Sequence, residues 1–217
     1  VIKARKLLDL LAEFPPRHFF CVSTDKAANP VNIMGGSKRI MEDLIMAYSD
    51  KFKVSTARFA NVAFSNGSLL AGFIERLMKH QPLAAPSDVK RYFVSPEESG
   101  QICMLACVLG KNREIFFPKL GEEQMMTFSV ICDHFLHTLG YEIYSCKSEE
   151  EAKEFAVKTD KNSKRYPVFY FKSDTTGEKD FEEFYVPGEK LNWDRFASLG
   201  VIEDVKIRPI EELDTLF

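Results

Sequence analysis

A run of four polar residues, Ser23, Thr24, Asp25 and Lys26, follows an apolar stretch of strand length at residues 18–23. The run brings two hydroxyls, a carboxyl and an amine together within a few residues. These are groups that bind a small ligand and move protons on it. In an open parallel sheet, ligands bind just beyond the carboxyl ends of the strands, which is where this run falls. The sequence therefore predicts a candidate active site at this position.

A second set of polar groups surrounds the next predicted strand, residues 53–59. Asn61 follows that strand with a side-chain amide, and the helix between the two strands carries Lys38. Lys38 comes four residues after Met34 and therefore shares its helix face. We expect these groups to lie at the same edge of the sheet. Because loops are polar also where they are only solvated, a solvated loop is the open alternative.

The elements that must position these groups alternate between helix and strand. An amphipathic helix at 2–13 is followed by a strand at 18–23, which the apolar run predicts to be buried on both faces. A helix at 32–50 and the strand at 53–59 complete a β-α-β unit, the building block of parallel sheets. The fold class is therefore α/β. Further predicted elements are helices at about 68–80, 95–109 and 127–140 and a strand at 114–117.

Composition excludes several classes of function. The chain has 217 residues, of which 45% are hydrophobic and 28% charged, and its formal net charge is -3. This balance argues against a nucleic-acid-binding surface. No apolar run approaches the roughly 20 residues of a membrane-spanning helix. Five cysteines without a CxxC pair favour a reducing, cytoplasmic setting. His134 and His137 have no accompanying carboxylate or thiol pattern, so no metal site is predicted.

The start of the sequence suggests that an N-terminal part is missing. Val1 lies within a predicted helix, and no GxGxxG follows a strand anywhere in the chain. The GxxxxGK[ST] pattern of a P-loop is also lacking. Two explanations stay open: the chain is a fragment of a longer protein, or it is a domain that never had a cofactor loop.

Four ordered segments resemble one enzyme family. Residues 21–38 resemble the catalytic segment of the UDP-N-acetylglucosamine 4,6-dehydratases, which are extended short-chain dehydrogenase/reductases of bacterial polysaccharide biosynthesis. Residues 57–68, 91–98 and 114–119 follow in the order of the family. The resemblance covers essentially the whole chain. It implies the C-terminal portion of a Rossmann-type parallel sheet with a small mixed α/β sugar-nucleotide-binding domain.

The order of predicted elements places a domain boundary near Pro86, between the β-α-β region and a smaller mixed domain. Residues 1–85 would be the remainder of the NAD(P)-binding domain, and residues 86–217 the sugar-nucleotide-binding domain. The full-length enzyme would bind NADP or NAD and a UDP-sugar, would need no metal or nucleic acid, and would form a homo-oligomer. It would be cytoplasmic, at the inner face of the membrane if an anchor precedes the chain.

The chemistry that the resemblance implies is an internal redox elimination. A hydride leaves sugar C4, water is lost across C5 and C6, and the hydride returns at C6. Carried over by position, Ser23 or Thr24 hydrogen-bonds the 4-oxygen, Lys26 takes the C5 proton and Asp25 protonates the departing 6-hydroxyl. Lys38 would hold the nicotinamide ribose of the cofactor. Ser23 would also contact the cofactor.

One position departs from the superfamily pattern. Met34 stands where the usual Tyr-x-x-x-Lys has tyrosine, and a thioether cannot accept the 4-hydroxyl proton. One branch of the dehydratases resembles this chain in carrying methionine there. The alternative is a dead site in which Met34 only packs. Asn61 is a candidate ligand of the sugar or diphosphate, or a simple turn amide. Arg91 is a candidate diphosphate ligand, or an ordinary surface arginine.

The sequence as a whole predicts a nucleotide-sugar 4,6-dehydratase that converts UDP-N-acetylglucosamine to a 4-keto-6-deoxy sugar, with the isolated chain inactive. A nucleotide-sugar 4-epimerase of the same superfamily is one alternative. It shares the first oxidation but needs no base at C5, so Asp25 and Lys26 favour elimination. A catalytically inactive fragment is the other alternative.

Overall fold

The computed structural model describes residues 1–160, 162–174 and 182–216. The helices and strands, in chain order, are α1 (Ile2–Glu13), β1 (Phe19–Thr24), α2 (Ile33–Ala47), β2 (Val54–Phe59), β3 (Asn61–Val62), α3 (Leu69–Met78), β4 (Leu83–Pro86), β5 (Lys90–Arg91), β6 (Phe93–Val94), α4 (Pro96–Leu109), β7 (Glu114–Pro118), β8 (Met126–Thr127), α5 (Phe128–Thr138), β9 (Glu142–Cys146), α6 (Glu149–Lys158), β10 (Arg165–Phe171), β11 (Lys190–Asn192), β12 (Leu199–Glu203) and α7 (Ile210–Asp214). Single 3-10 turns lie at Asp25–Ala27 and Glu122–Gln124.

Contacts within the chain divide it into two compact units, each built from separate segments. The first comprises residues 1–60, 97–120 and 182–216, and the second comprises residues 61–96 and the described part of 121–181. A single boundary near Pro86 does not coincide with this division, because the chain leaves the first unit and returns to it twice. The assignment of residues 1–85 to cofactor binding and 86–217 to sugar-nucleotide binding stays a prediction.

The first unit is built on a five-stranded sheet in the order β1-β2-β7-β12-β11. Strands β1, β2 and β7 are parallel, and β12 is antiparallel to both β7 and β11. The β1-α2-β2 segment is the predicted β-α-β unit. The α/β fold class with a parallel Rossmann-type sheet is therefore confirmed.

The centre of this sheet is the core of the first unit. Every residue of β2 and of β7 is buried. Ala57 and Phe116 of these strands pack with Ile102 and Ala106 of α4 in one cluster. Burial of this apolar surface, at roughly 25 cal/mol per Å², is the main contribution that keeps the sheet and the helix together.

The prediction that the first strand is buried on both faces is wrong. β1 lies at one edge of the sheet, paired to β2 with Thr24 opposite Phe59. Val22 is 49% exposed, and Phe19, Phe20 and Cys21 are only half-buried. Among the described strands β2 is the one neighbour of β1, so the apolar composition of β1 is not matched by burial.

The second unit has its own sheet and core. Strands β4, β10 and β9 form a parallel sheet in that order. Leu83 of β4, Val168 of β10 and Leu136 of α5 are fully buried in one cluster. The pairs β3–β6 and β5–β8 complete the unit. Strand β10 was not among the predicted elements, because its run of aromatic and apolar residues shows no two-residue alternation.

Candidate active site

The end of β1 continues into a single 3-10 turn that holds the predicted acid and base. The Thr24 hydroxyl accepts a hydrogen bond from the Lys26 backbone N–H at 3.4 Å and so caps this turn. The same hydroxyl donates to Oδ1 of Asp25 at 2.6 Å. Because an N-cap fixes the first residues of a turn, the positions of Asp25 and Lys26 follow from Thr24.

The two oxygens of the Asp25 carboxyl have different surroundings. The residue is only 2% exposed. Oδ1 accepts from the Thr24 hydroxyl at 2.6 Å, the Lys26 backbone N–H at 2.9 Å and the Lys26 ammonium at 3.2 Å. Oδ2 is buried and has no hydrogen-bond partner among the described residues. A buried polar atom without a hydrogen-bond partner costs free energy. A hydrogen bond between a ligand hydroxyl and Oδ2 would remove this cost.

Lys26 lies between two carboxylates. Its ammonium is 3.2 Å from Oδ1 of Asp25 and 3.6 Å from Oε1 of Glu182, and its side chain is 30% exposed. Glu182 was missed by sequence reasoning. It lies in an acidic loop with no local pattern, and only the path of the chain brings it to Lys26.

The first turn of α2 lies directly against this turn. Asn32 caps the helix by accepting the Gly35 backbone N–H at 2.8 Å. A Cβ added to Gly35 would stand 2.8 Å from the Lys26 carbonyl oxygen, so the contact requires glycine. The close approach brings the stretch with Met34 next to the acid and the base.

Met34 and Lys38 are both exposed on α2. Met34 is 51% exposed, so it is not part of the core of the described residues, and its place in an active or a dead site stays a prediction. The Lys38 ammonium makes no hydrogen bond or ion pair with any residue that the structure describes. Burial raises the pKa of the Cys21 thiol, and the positive charge of Lys38 only partly offsets this rise.

Ser23 points into the protein interior. Its hydroxyl donates to Oε1 of Glu42 at 2.5 Å, and Ser23 is 6% exposed. A carboxylate only accepts hydrogen bonds, so the proton of the Ser23 hydroxyl is committed to Glu42. The Thr24 hydroxyl likewise donates to a carboxylate, that of Asp25, but Thr24 is less buried than Ser23 and is the more accessible of the two hydroxyls that the sequence offered for the sugar 4-oxygen.

Beneath Ser23 lies a buried charge network that sequence reasoning missed. Arg58, fully buried in β2, donates from Nε and Nη2 to the two oxygens of Glu42 at 3.0 and 2.8 Å. Burial disfavours the charged guanidinium, but Glu42 and Glu189 outweigh it and raise the pKa of Arg58. A charged residue inside an otherwise buried strand was the signal that such a partner exists.

The two remaining predicted residues belong to the second unit. The Asn61 side-chain amide donates to the Tyr92 carbonyl at 3.3 Å. Arg91 is 5% exposed, so the alternative of an ordinary surface arginine is wrong. One of its guanidinium nitrogens donates to the Lys90 carbonyl at 2.7 Å. Ser23, Thr24, Asp25, Lys26, Met34 and Lys38 all lie in the first unit.

Two features are absent from residues 1–160, 162–174 and 182–216. No group of three or more His, Cys, Asp or Glu side chains stands close enough to hold a metal ion in this part of the chain. Within the same ranges, no helix is both long and apolar enough to span a membrane.

Comparison with known families gives the class of protein. The family described as "Polysaccharide biosynthesis protein" matches residues 1–193. The match covers most of the chain, and the chain therefore belongs to this family.

Three curated relatives show what the chain resembles. It is 36% identical over 126 residues to "Uncharacterized membrane protein MJ1061" of Methanocaldococcus jannaschii, covering 55% of this chain and 38% of the relative. It is 28% identical over 198 residues to "Probable polysaccharide biosynthesis protein EpsC" of Bacillus subtilis, covering 90% and 32%. It is 24% identical over 170 residues to "UDP-N-acetylglucosamine 4,6-dehydratase (inverting)" of Campylobacter jejuni, covering 75% and 50%. The chain thus spans half or less of each of these relatives.

Solved structures share the fold. Pen from Bacillus thuringiensis superposes with a TM-score of 0.72 at 16% identity, covering 100% of this chain and 66% of that one. The dTDP-glucose 4,6-dehydratase DesIV from Streptomyces venezuelae, solved with NAD bound, gives 0.63 at 16% identity, covering 83% and 55%. At this identity the likeness establishes the fold.

Proposed function

We propose that this chain is the part of a nucleotide-sugar 4,6-dehydratase that carries the acid and the base. The substrate is UDP-N-acetylglucosamine, and the product is a UDP-4-keto-6-deoxy sugar for polysaccharide or glycan biosynthesis. Family membership, the four ordered sequence segments and the relative from Campylobacter support this proposal.

The observation that carries the proposal is the Asp25 carboxyl beside the Lys26 amine. One Asp25 oxygen is fixed by three donors, while the other is buried without a partner among the described residues. An acid that protonates a departing hydroxyl needs one oxygen free to face it. An amine 3.2 Å away supplies the base for a neighbouring carbon of the same ring.

The roles follow from this arrangement. Lys26 removes the proton at C5, which the 4-ketone makes acidic, and Asp25 delivers a proton to the leaving 6-hydroxyl. Thr24 hydrogen-bonds the 4-oxygen. Because Met34 cannot take the 4-hydroxyl proton, that proton leaves through Thr24, Asp25, Lys26 or water. The 2.6 Å hydrogen bond from Thr24 to Asp25 supports the first of these routes.

The cofactor in this proposal is NADP or NAD. When bound, it accepts a hydride from sugar C4 and returns it at C6. Lys38 fits the position beside the nicotinamide ribose, because its exposed ammonium has no hydrogen-bond or ion-pair partner among the described residues. Ser23 is assigned to holding this edge of the sheet through Glu42 and not to direct contact with the cofactor.

Asn61 and Arg91 are proposed to bind the substrate at its sugar or diphosphate. Arg91 is 5% exposed and has one nitrogen on the Lys90 carbonyl, and the planar fork of a guanidinium suits phosphate oxygens. The Asn61 amide nitrogen is already engaged with Tyr92, so its side-chain oxygen is the atom proposed to face the ligand.

Product mass tests the proposal. The protein, as its gene encodes it, is incubated with UDP-N-acetylglucosamine and either dinucleotide, and the nucleotide sugar is weighed by mass spectrometry. A product lighter by one water is expected, and Lys26→Ala should abolish it with the fold unchanged. A product of equal mass with inverted C4 would establish the epimerase, and unchanged substrate would establish an inactive protein.

A further inference from the structure

Glu182 is a carboxylate at Lys26 for which the family resemblance provides no role. It is 5% exposed, and its Oε1 lies 3.6 Å from the Lys26 ammonium. Asp25 holds the same ammonium at 3.2 Å. The amine therefore lies between two buried carboxylates, one local in sequence and one from the C-terminal part of the first unit.

The segment that carries Glu182 is fixed by Arg58. The Nη1 atom of Arg58 donates to the Phe184 carbonyl at 2.7 Å, and Nη1 and Nη2 approach the Glu189 carboxylate at 3.4 and 3.3 Å. Glu189 in turn accepts the Val186 backbone N–H at 2.8 Å. A fully buried cation thus fixes the chain only two residues beyond Glu182. The chain that follows Glu182 is therefore anchored to the first unit.

The adjacent Glu183 has a different partner and serves as an internal reference. Its Oε2 accepts from Nδ2 of Asn29 at 3.1 Å, and Glu183 is half-buried. Glu182 and Glu183 thus carry the same charge at neighbouring positions. Of the two, the ion pair to Lys26 is made by Glu182.

The other charges near the turn are largely paired. Helix α2 and strand β2 pack closely against it. Glu42 pairs with Arg58 at 2.8 Å, and Arg39 pairs with Asp43 at 3.2 Å. Lys38 is exposed. The charges within ion-pair distance of the Lys26 ammonium, among the described residues, are those of Asp25 and Glu182.

We infer that Glu182 is a positioning residue that acts through Lys26. With Asp25 it holds the amine in place, and its negative charge favours the ammonium form. The pH dependence of Lys26 reactivity is therefore the readout of this contact. The inference rests on the proposed function, in which Lys26 must be neutral to take the C5 proton.

The test measures Lys26 directly and does not require turnover. The protein, Glu182→Gln and Glu183→Gln are labelled with a small amine-reactive reagent over a range of pH, and the modified Lys26 peptide is quantified by mass spectrometry. Both variants remove one negative charge, and circular dichroism verifies that both fold.

We expect the Lys26 labelling curve to move to lower pH in Glu182→Gln and to stay in place in Glu183→Gln. An unmoved curve in Glu182→Gln, or equal shifts in both variants, would overturn the inference. Turnover of UDP-N-acetylglucosamine by the unsubstituted protein is followed in parallel. If the protein does not turn over this substrate but the Lys26 labelling curve of Glu182→Gln is shifted, only the proposed function is refuted. Failure of the inference and failure of the proposed function are therefore distinguishable.

Discussion

Substitution of Glu42 by glutamine probes the buried network beneath the site. Glu42 is 2% exposed and accepts from Arg58 at 2.8 and 3.0 Å and from the Ser23 hydroxyl at 2.5 Å. The variant keeps the size and shape of the side chain but removes its charge. The Arg58 guanidinium, which is fully buried, then keeps only Glu189 at 3.3 Å and the Phe184 carbonyl as strong partners.

The cost follows from the burial of the pair. Removal of one partner of a buried ion pair typically destabilises a protein by about 3–5 kcal/mol, since a charge is left without compensation. Glu189 and the oxygen of the introduced glutamine still stabilise the guanidinium in part. We therefore expect a loss of stability at the lower end of this range, about 3 kcal/mol. With a urea m-value of about 2 kcal/mol/M, the unfolding midpoint should fall by about 1.5 M.

Urea unfolding followed by circular dichroism measures the change. The matched control is Glu212→Gln, which removes the same charge from an exposed i,i+4 pair with Arg208 in the same unit. Exposed pairs contribute little, so the control should lose less than about 0.5 kcal/mol. A loss below about 1 kcal/mol in Glu42→Gln would refute the buried-network reasoning.

Two further predictions concern the placement of α2 and the dependence of stability on pH. Gly35→Ala should lower turnover and destabilise by about 1–3 kcal/mol, because its Cβ would stand 2.8 Å from the Lys26 carbonyl oxygen. Gly36→Ala, with open space around the added Cβ, should do neither in the same assays. Burial, and then the charge of Lys53, lower the pKa of His18. His18 is therefore protonated at higher pH in the unfolded chain than in the folded protein. Urea unfolding midpoints should fall as the pH drops below about 6.5, and they should fall less in His18→Gln.

Local sequence rules predicted the elements that carry the site. The apolar run before Ser23 and the proline at the start of α4 gave elements close to those observed, at Phe19–Thr24 and Pro96–Leu109. The β-α-β order then placed the turn at Asp25 beyond a strand end. These features depend on short-range pattern and capping, which a single sequence displays.

Burial of β1 was predicted wrongly, for a physical reason. An apolar run indicates that a strand can be buried, but whether it is buried depends on the strands and helices that pack beside it. Among the described strands β2 is the one neighbour of β1, and Val22 is 49% exposed.

The partners of the site residues were the part that sequence could not supply. Glu42 follows Lys38 by four residues and could have been placed on the same helix face, but its partner Arg58 lies in a different element. Glu182 reaches Lys26 only through the return of the chain to the first unit. Contacts of this kind are set by the path of the chain, which periodicity does not encode.

Migration of hydrogen within the sugar tests the central claim most directly. UDP-N-acetylglucosamine deuterated at C4 is converted in ordinary water, and the product is analysed by NMR. Elimination by Asp25 and Lys26 predicts that the deuterium appears at C6 of the same molecule, with a solvent-derived proton at C5. Deuterium that is lost to solvent, or that returns to C4, would contradict the account.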